Sequence, residues 1–315
     1  MRAYALRRAL GLLPVLFAAI VLTFVANQFV PGDPIMTLLS DRSGDAALAA
    51  RLRAEYGLDR PLWRQFGTYV AGIVRGDFGL SFRFASTPVI DVIAPALLVT
   101  PLLAGGALLI AVPLGIALGI FVALRRNSLW DTLVVVALVA GTSIPNFALA
   151  AFLVYLLSVR LGWLPVAGWG SLAQAILPVL LLAIPPVAYV ARLSRTYMLE
   201  VLQQDYIRTA RAKGLSRRLV VYRHALRNTL VPLLTTIGII LGGLLSGTFV
   251  IETLFNIPGL GRLAIQSIFA RDYPVTMAIV LLFTFFYAGI NLVIDLTYGV
   301  IDPRIRLGGG RTGRA

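Results

Sequence analysis

Long apolar runs, interrupted by short polar stretches, dominate this chain. Six of them reach the length of about 20 residues that crosses a ~30 Å hydrocarbon core: 9–30, 96–124, 132–157, 172–191, 229–251 and 275–300. None shows the alternation of a membrane β-strand, whose segments are about 10 residues long. Stretches such as Leu102 to Leu124 are apolar throughout. The pattern predicts an all-α integral membrane protein, a bundle of six transmembrane helices. The first run is longer than the apolar core of a signal peptide, about 7–15 residues, and no small-residue cleavage site comes after it at a suitable position. It is therefore expected to be an uncleaved anchor.

The polar stretches divide the rest into a tail over 1–8, a long segment over 31–95, a connection over 192–228, a loop over 252–274 and a tail over 301–315. Helix signals recur inside 31–95. After Gly44, Asp45 to Tyr56 reads as helical and stops at Gly57. Pro61 suits a first helical position, and Leu62, Phe66, Tyr69, Val70 and Ile73 then repeat at helical spacing until Gly76. This small amphipathic assembly reads as a cap on the bundle and as a docking surface.

Composition sharpens the picture. Hydrophobic residues make up 58% and charged residues 13%, against roughly 25% charged in soluble domains, which excludes a soluble enzyme. The net charge of +14 tracks topology: 18 of the 28 basic residues fall in the two tails, at Arg125 and Arg126, and in 192–228, all on one side of a six-span chain. The bias toward basic cytoplasmic loops places both termini in the cytoplasm, and no nucleic-acid partner is expected. With no cysteine and a single histidine, His224, there is no disulfide, thiolate nucleophile or multi-histidine metal motif. No catalytic, cofactor or metal-binding residue is expected.

Within the spans the ionisable position is Asp295, read as a cap or as a partner of Arg304 or Arg306 rather than a proton relay. Asn146, Gln174, Asn291 and hydroxyls suffice to line a water-filled route but not to power one. Gly115 with Gly119, and Gly243 with Gly247, have the spacing that lets helix backbones approach closely. Alternatively the Gly-rich fifth span borders a passage, with Asn146, Gly242 and Ser246 as candidate wall residues. A Walker A loop requires Gly-Lys-Ser/Thr, but the only lysine, Lys213, precedes Gly214. ATP and Mg, if used, belong to another chain.

The connection 192–228 is the most basic segment. Tyr206, Ile207 and Ala210 share a face of a short helix, Gly214 suits a helix end with positive φ, and Ser216 can cap a second short helix. From the residues alone, this fits equally a cationic segment held against anionic lipid and an apolar patch ringed by arginine, offered to a protein.

The run Arg208-Thr-Ala-Arg-Ala-Lys-Gly-Leu215, with His224-Ala-Leu-Arg-Asn228 after it, resembles the "EAA" loop of ATP-binding-cassette importer permeases. Pro31-Gly-Asp-Pro34, Gly76-Asp-Phe-Gly-Leu-Ser81, Leu161-Gly-Trp-Leu-Pro165, Glu252-Thr-Leu-Phe-Asn-Ile-Pro-Gly-Leu-Gly261, Arg271-Asp-Tyr-Pro274 and Asp302-Pro-Arg-Ile-Arg306 agree with the same family. The resemblance is to the B-type permease of dipeptide, oligopeptide and nickel importers. It implies the type I importer permease fold in a bacterial or archaeal cytoplasmic membrane. It also implies a second permease subunit, two cytoplasmic ATPases that hold ATP and Mg, and an extracytoplasmic substrate-binding protein. Tyr206, Ile207, Arg208, Thr209, Ala210, Arg211, Lys213, Gly214 and Leu215 would form the coupling helix seated on an ATPase. Two positions depart from the general motif: Arg208 stands where a glutamate is usual, and Leu226-Arg227 where Leu-Pro is usual. Peptides are the implied cargo class, with nickel complexes, glutathione and oligosaccharides carried by relatives. A passive channel is the alternative from another class.

The cysteine-free background makes the topology testable. Cysteines introduced singly at Ser43 and Ser216 are expected to react with membrane-impermeant maleimide from opposite faces of the membrane, Ser43 from outside. Labelling of both from one face would refute six spans.

Overall fold

The computed structural model describes residues 2–39, 46–84 and 87–301, without the side chains of 2–5, 37, 38, 231, 246, 247 and 298–301. Gly44, Asp45 and the Asp302–Arg306 motif lie outside the described residues, as does any pairing of Asp295 with Arg304 or Arg306. The chain runs through α1 (Arg2–Leu10), α2 (Leu12–Phe29), α3 (Pro34–Leu39), α4 (Ala46–Glu55), α5 (Leu62–Val74), α6 (Val89–Ile93), α7 (Val99–Ala123) and α8 (Leu129–Ser143). It continues through α9 (Asn146–Leu153), α10 (Leu172–Leu202), α11 (Asp205–Ala212), α12 (Arg217–Leu219), α13 (Leu226–Gly247), α14 (Phe249–Leu254), α15 (Leu260–Phe269) and α16 (Tyr273–Ile301). No strand occurs among the described residues beyond an isolated bridge between Leu80 and Pro88. In hydrocarbon a helix satisfies its own backbone hydrogen bonds, and apolar runs of this length therefore fold as helices.

Among the described residues five helical stretches are long and apolar enough to cross a membrane: Leu6–Phe29, Val89–Ala123, Leu172–Leu202, Pro232–Leu254 and Tyr273–Thr297. The third apolar run departs from the expected continuous helix over 132–157. It forms two helices, α8 and α9, meeting at 97°. The cause is local: proline disfavours helical geometry in the residue before it, so Ile144 is extended (φ −87°, ψ 125°) and α9 restarts after Pro145. The fourth run is longer than its apolar stretch suggests. It starts in a capping box between Ser171 and Gln174 and stays helical past residue 191 to Leu202.

Two compact units emerge. The first comprises Pro101–Asn256 and the stretch from Ile290. Here α7 and α10 approach so closely that a Cβ on Gly115 would sit 2.7 Å from the Val190 side chain, and one on Gly119 would sit 2.5 Å from the Ala191 carbonyl oxygen. The packing role of this glycine pair is therefore steric, and alanine fits at neither position. Gly238 of α13 lies against Ile294 of α16 in the same manner.

The second unit comprises Arg2–Thr100 and Ile257–Gly289. Gly57 and Gly76 end α4 and α5 with φ of +67° and +79°, as the glycine positions imply. Pro61 precedes α5 as its N-cap, and Phe66 on the apolar face of α5 meets the rings of Phe17 and Phe24 on α2 edge-on. Ile35, Leu39 and Ala49 form a small core between α3 and α4. Asp33 closes it, paired with Arg53 and accepting the Ile35 N–H at 2.9 Å. Partial burial pushes the Asp33 carboxyl upward, but the Arg53 and Ile35 hydrogen bonds outweigh it and hold the pKa below the ordinary carboxylate value. The resulting stabilisation is present above the unfolded value, near about pH 4, and is lost as pH falls through the folded one.

The fully buried Asp272 is the polar centre of this unit. Its carboxylate accepts from the Ser81 hydroxyl, the Phe82 N–H at 3.1 Å and the Arg83 N–H at 3.3 Å, residues some 190 positions earlier. The ring of Phe82 sits between Tyr56 and Tyr273, and Gly32 lies directly against the Arg271 guanidinium. Asp272→Ala would leave these donors unmatched in a dry site, at about 1–3 kcal/mol for each unsatisfied group. It is expected to lower the thermal unfolding midpoint of the purified chain markedly, whereas Asp91→Ala, at an exposed position, should not. Equal midpoints for the two variants would contradict the assignment.

Candidate functional site

Two regions of the first unit carry the residues picked out by sequence. The first is the basic connection. Gln204 stands at the N-cap position of α11 without a side-chain capping bond, Lys213 is its C-cap, and Gly214 comes next with φ +76°. The Ser216 hydroxyl then accepts the Leu219 N–H at 3.4 Å to start α12, and π-helical turns over Val220–Ala225 lead into α13. The two short helices with a glycine break are thus present.

Their apolar residues point the other way from expectation. Ile207 is fully buried and Ala210 nearly so, in a cluster with Ile120 and Ala123 of α7, Met198 of α10, and Val220, Val221 and Ala225. Leu215 packs at its edge. These side chains anchor α11 to its own chain and are not an exposed patch for a partner. The helix turns outward Arg208, Thr209, Arg211, Ala212 and Lys213, with Tyr206 half-exposed. The Tyr206 hydroxyl accepts from Asn228 at 3.0 Å, Arg208 lies 3.4 Å from Asp205, and Arg217 donates at 3.3 Å to the Leu124 carbonyl at the end of α7. A charged side chain on a terminal helix carbonyl satisfies an otherwise orphaned acceptor. Through the apolar cluster and these bonds, the α11–α12 segment is held to the ends of α7 and α10 and to the start of α13.

The second region is a cavity of about 650 Å³. Its walls are the α8–α9 hinge with Thr142 and Asn146, one face of α10 with Pro185, Tyr189, Arg192 and Thr196, and α13 with Ile240 and Gly243. Asn146, singled out from sequence, lines it. Gly242 does not: it is buried, and its neighbour Gly243 faces the space, where an added Cβ would meet nothing within 4 Å. The Ser246 side chain lies outside the described residues. Also in the cavity wall, Arg195 forks onto Asp131 at the start of α8, with Nε–Oδ1 at 2.8 Å and Nη2–Oδ2 at 2.7 Å. Asp131 is buried and also accepts the Asn127 N–H at 3.0 Å. Sequence reading missed this pair because Asp131 borders an apolar run and Arg195 lies 64 residues away. The buried Glu252 of α14, which accepts from Thr248 at 2.7 Å, is likewise a buried acid that hydropathy alone did not single out.

Residues 115–307 match the family of binding-protein-dependent transport system inner membrane components, and residues 1–94 match its N-terminal region. The chain belongs to this family. It is 44% identical over 303 residues to the glutathione transport system permease protein GsiC of Shigella flexneri serotype 5b (strain 8401), covering 96% of this chain and 98% of that one. The GsiC of Escherichia coli (strain K12) matches to the same extent. The fold is similar to a chain of the MetNI methionine ABC transporter in inward-facing conformations, with a TM-score of 0.59, 18% identity, and 68% of this chain and 97% of that one covered. The chain is thus an ABC importer permease subunit, a multi-pass inner-membrane protein with no catalytic role of its own, and its fold is that of such permeases.

The inward-facing Ala210 yields a test on the isolated chain. Ala210→Asp places a charge in an apolar cluster, where an unpaired charge is costly, and should speed amide hydrogen exchange across 205–225 without any ATPase present. Thr209→Asp, one position away on the exposed side, should leave exchange near that of the parent. Unchanged exchange in the Ala210 variant would contradict the inward orientation.

Proposed function

We propose that this permease forms half of the translocation path of an ATP-driven, binding-protein-dependent importer for short peptides, with glutathione, itself a tripeptide, the foremost member of that class. The observation that carries this reading is the 44% identity to glutathione permeases along nearly the whole of both chains. The partners are a second, similar permease, two ATPases that bind ATP and Mg, and an extracytoplasmic substrate-binding protein. Both termini and α11 face the cytoplasm, in accord with the distribution of basic residues.

In this reading α11 is the coupling helix. Its packing supports the role in a way the motif alone did not: a helix whose buried side is fused to the ends of α7 and α10 moves as one body with them. A displacement imposed on its outer face by a closing ATPase dimer then reaches two membrane helices without loss in a flexible loop. The contact surface is the exposed set Tyr206, Arg208, Thr209, Arg211 and Lys213, while Ile207, Ala210 and Leu215 hold the helix in place and Gly214 ends it. The cavity beside α8, α9, α10 and α13 is part of the path, and its volume lies in the range of about 300–1,000 Å³ usual for small-molecule sites.

Co-expression with the neighbouring transport genes and reconstitution in proteoliposomes is expected to give ATP-dependent uptake of glutathione or di- and tripeptides. The single chain should hydrolyse no ATP. A Lys213→Glu/Arg208→Glu double variant should insert normally and lose most ATPase co-purification and uptake. Uptake without ATP would favour a passive channel, and full activity of the double variant would exclude α11 as the contact.

A further inference from the structure

The cavity wall carries an unbalanced charge. Among the described residues that line it are Arg192 and Arg195, and neither an aspartate nor a glutamate. The two arginines differ in their surroundings. Arg195 is neutralised by its two-pronged contact with Asp131, a charge-assisted geometry that fixes the guanidinium and uses the carboxylate fully. Arg192, one turn earlier on α10, is exposed, and among the described residues no carboxylate lies within ion-pair distance of it. Its guanidinium rests 5.3 Å from the centroid of the Tyr189 ring, which orients it through the ring quadrupole and leaves its donors unused.

Polar groups that do not repel an anion complete the wall. Pro185, Tyr189, Arg192 and Thr196 recur at i, i+4, i+7 and i+11, so one stripe of α10 presents ring, cation and hydroxyl in line. Across the space stand Thr142 and the amide of Asn146, at the hinge where α8 breaks. The rest is Val, Leu, Ile and Ala with Pro186 and Gly243, an apolar lining that offers a solute no competing charge.

We propose that Arg192 is a carboxylate-binding residue of the translocation path, which selects peptide solutes bearing a free carboxylate over their neutral counterparts. The assignment rests on the proposed peptide-import function and adds to it the group on the solute that the permease itself recognises. An arginine presents donors in a planar fork matched to a carboxylate, and Asp131 keeps Arg195 from competing for the same ligand. Glutathione and ordinary peptides carry such a carboxylate, whereas C-terminal amides do not.

Two measurements test this, the second independent of transport. In proteoliposomes holding the complete importer, Arg192→Gln should lower uptake of S-methylglutathione at least about tenfold, the factor that accompanies loss of a hydrogen bond to a charged group. Arg192→Lys should restore a large part, and uptake of the doubly amidated analogue should be the same in all three forms. Uptake of both solutes reduced equally would mean a structural role and overturn the proposal, as would no change in either. In the second measurement, Thr142→Cys is introduced as the sole cysteine of the purified full chain and its maleimide labelling is monitored. S-methylglutathione should slow labelling and the diamide should not, and Arg192→Gln should abolish the protection. Equal protection by inorganic phosphate would indicate a general anion or lipid-phosphate site, and no protection would indicate an empty wall. Either result overturns the proposal. If the parent importer transports neither solute while the protection pattern holds, the import assignment fails and the carboxylate site stands.

Discussion

Hydrocarbon offers no hydrogen-bond partner, so every backbone amide at membrane depth must be satisfied within the protein. That constraint makes the apolar runs of this chain helical, and it restricts where a run can be interrupted. The interruption at Ile144–Pro145 is flanked by Thr142 and Asn146, which line an open cavity, and non-helical backbone at membrane depth is tolerated where it borders such a space. The prolines of α10, at 178, 185 and 186, lie instead within a continuous helix, and Pro185 and Pro186 border the same space. Irregular backbone and cavity therefore coincide.

Helices held in lipid gain little from hydrophobic association with one another, so close packing and buried polar contacts bring them together. The glycine face of α7 against α10 serves the first and the Asp131–Arg195 fork the second. The same α10 then provides a wall of the cavity and, through Met198, part of the seat of α11. A single helix thus touches both the cavity and the element proposed to receive the ATPase stroke. Mechanical continuity between them needs no further component within this chain.

The second unit gathers sequence motifs that are far apart along the chain. Gly32 meets Arg271, Asp33 meets Arg53, and Ser81 with the two amides after it meets Asp272. In the last of these, two short motifs some 190 positions apart supply the two halves of one buried hydrogen-bond set. An ionised carboxylate has enough lone pairs to accept three donors at once, and a Cβ at Gly32 would collide with the guanidinium.

The helical character, most of the spans, the helix stops at Gly57, Gly76 and Gly214, and the place of the basic connection were legible in the sequence, because each arises from local rules: apolar length, positive φ and charge distribution. The recognition of the importer permease family was legible as well, from short motifs spread over nearly the whole chain. The break within 132–157 was signalled by Pro145 but hidden by an apolar composition that does not distinguish one helix from two. What tertiary structure alone decided is which neighbour each side chain meets. Ile207 and Ala210 form an apolar pair by spacing, yet whether it faces a partner or its own core depends on α7 and α10. Gly242 and Gly243 are equivalent by composition, and the rotation of α13 puts the second at the cavity. Asp131 and Arg195 become an ion pair only when two helices cross. Local rules act over a few residues, whereas orientation and pairing are fixed by contacts between segments that the chain order does not place side by side.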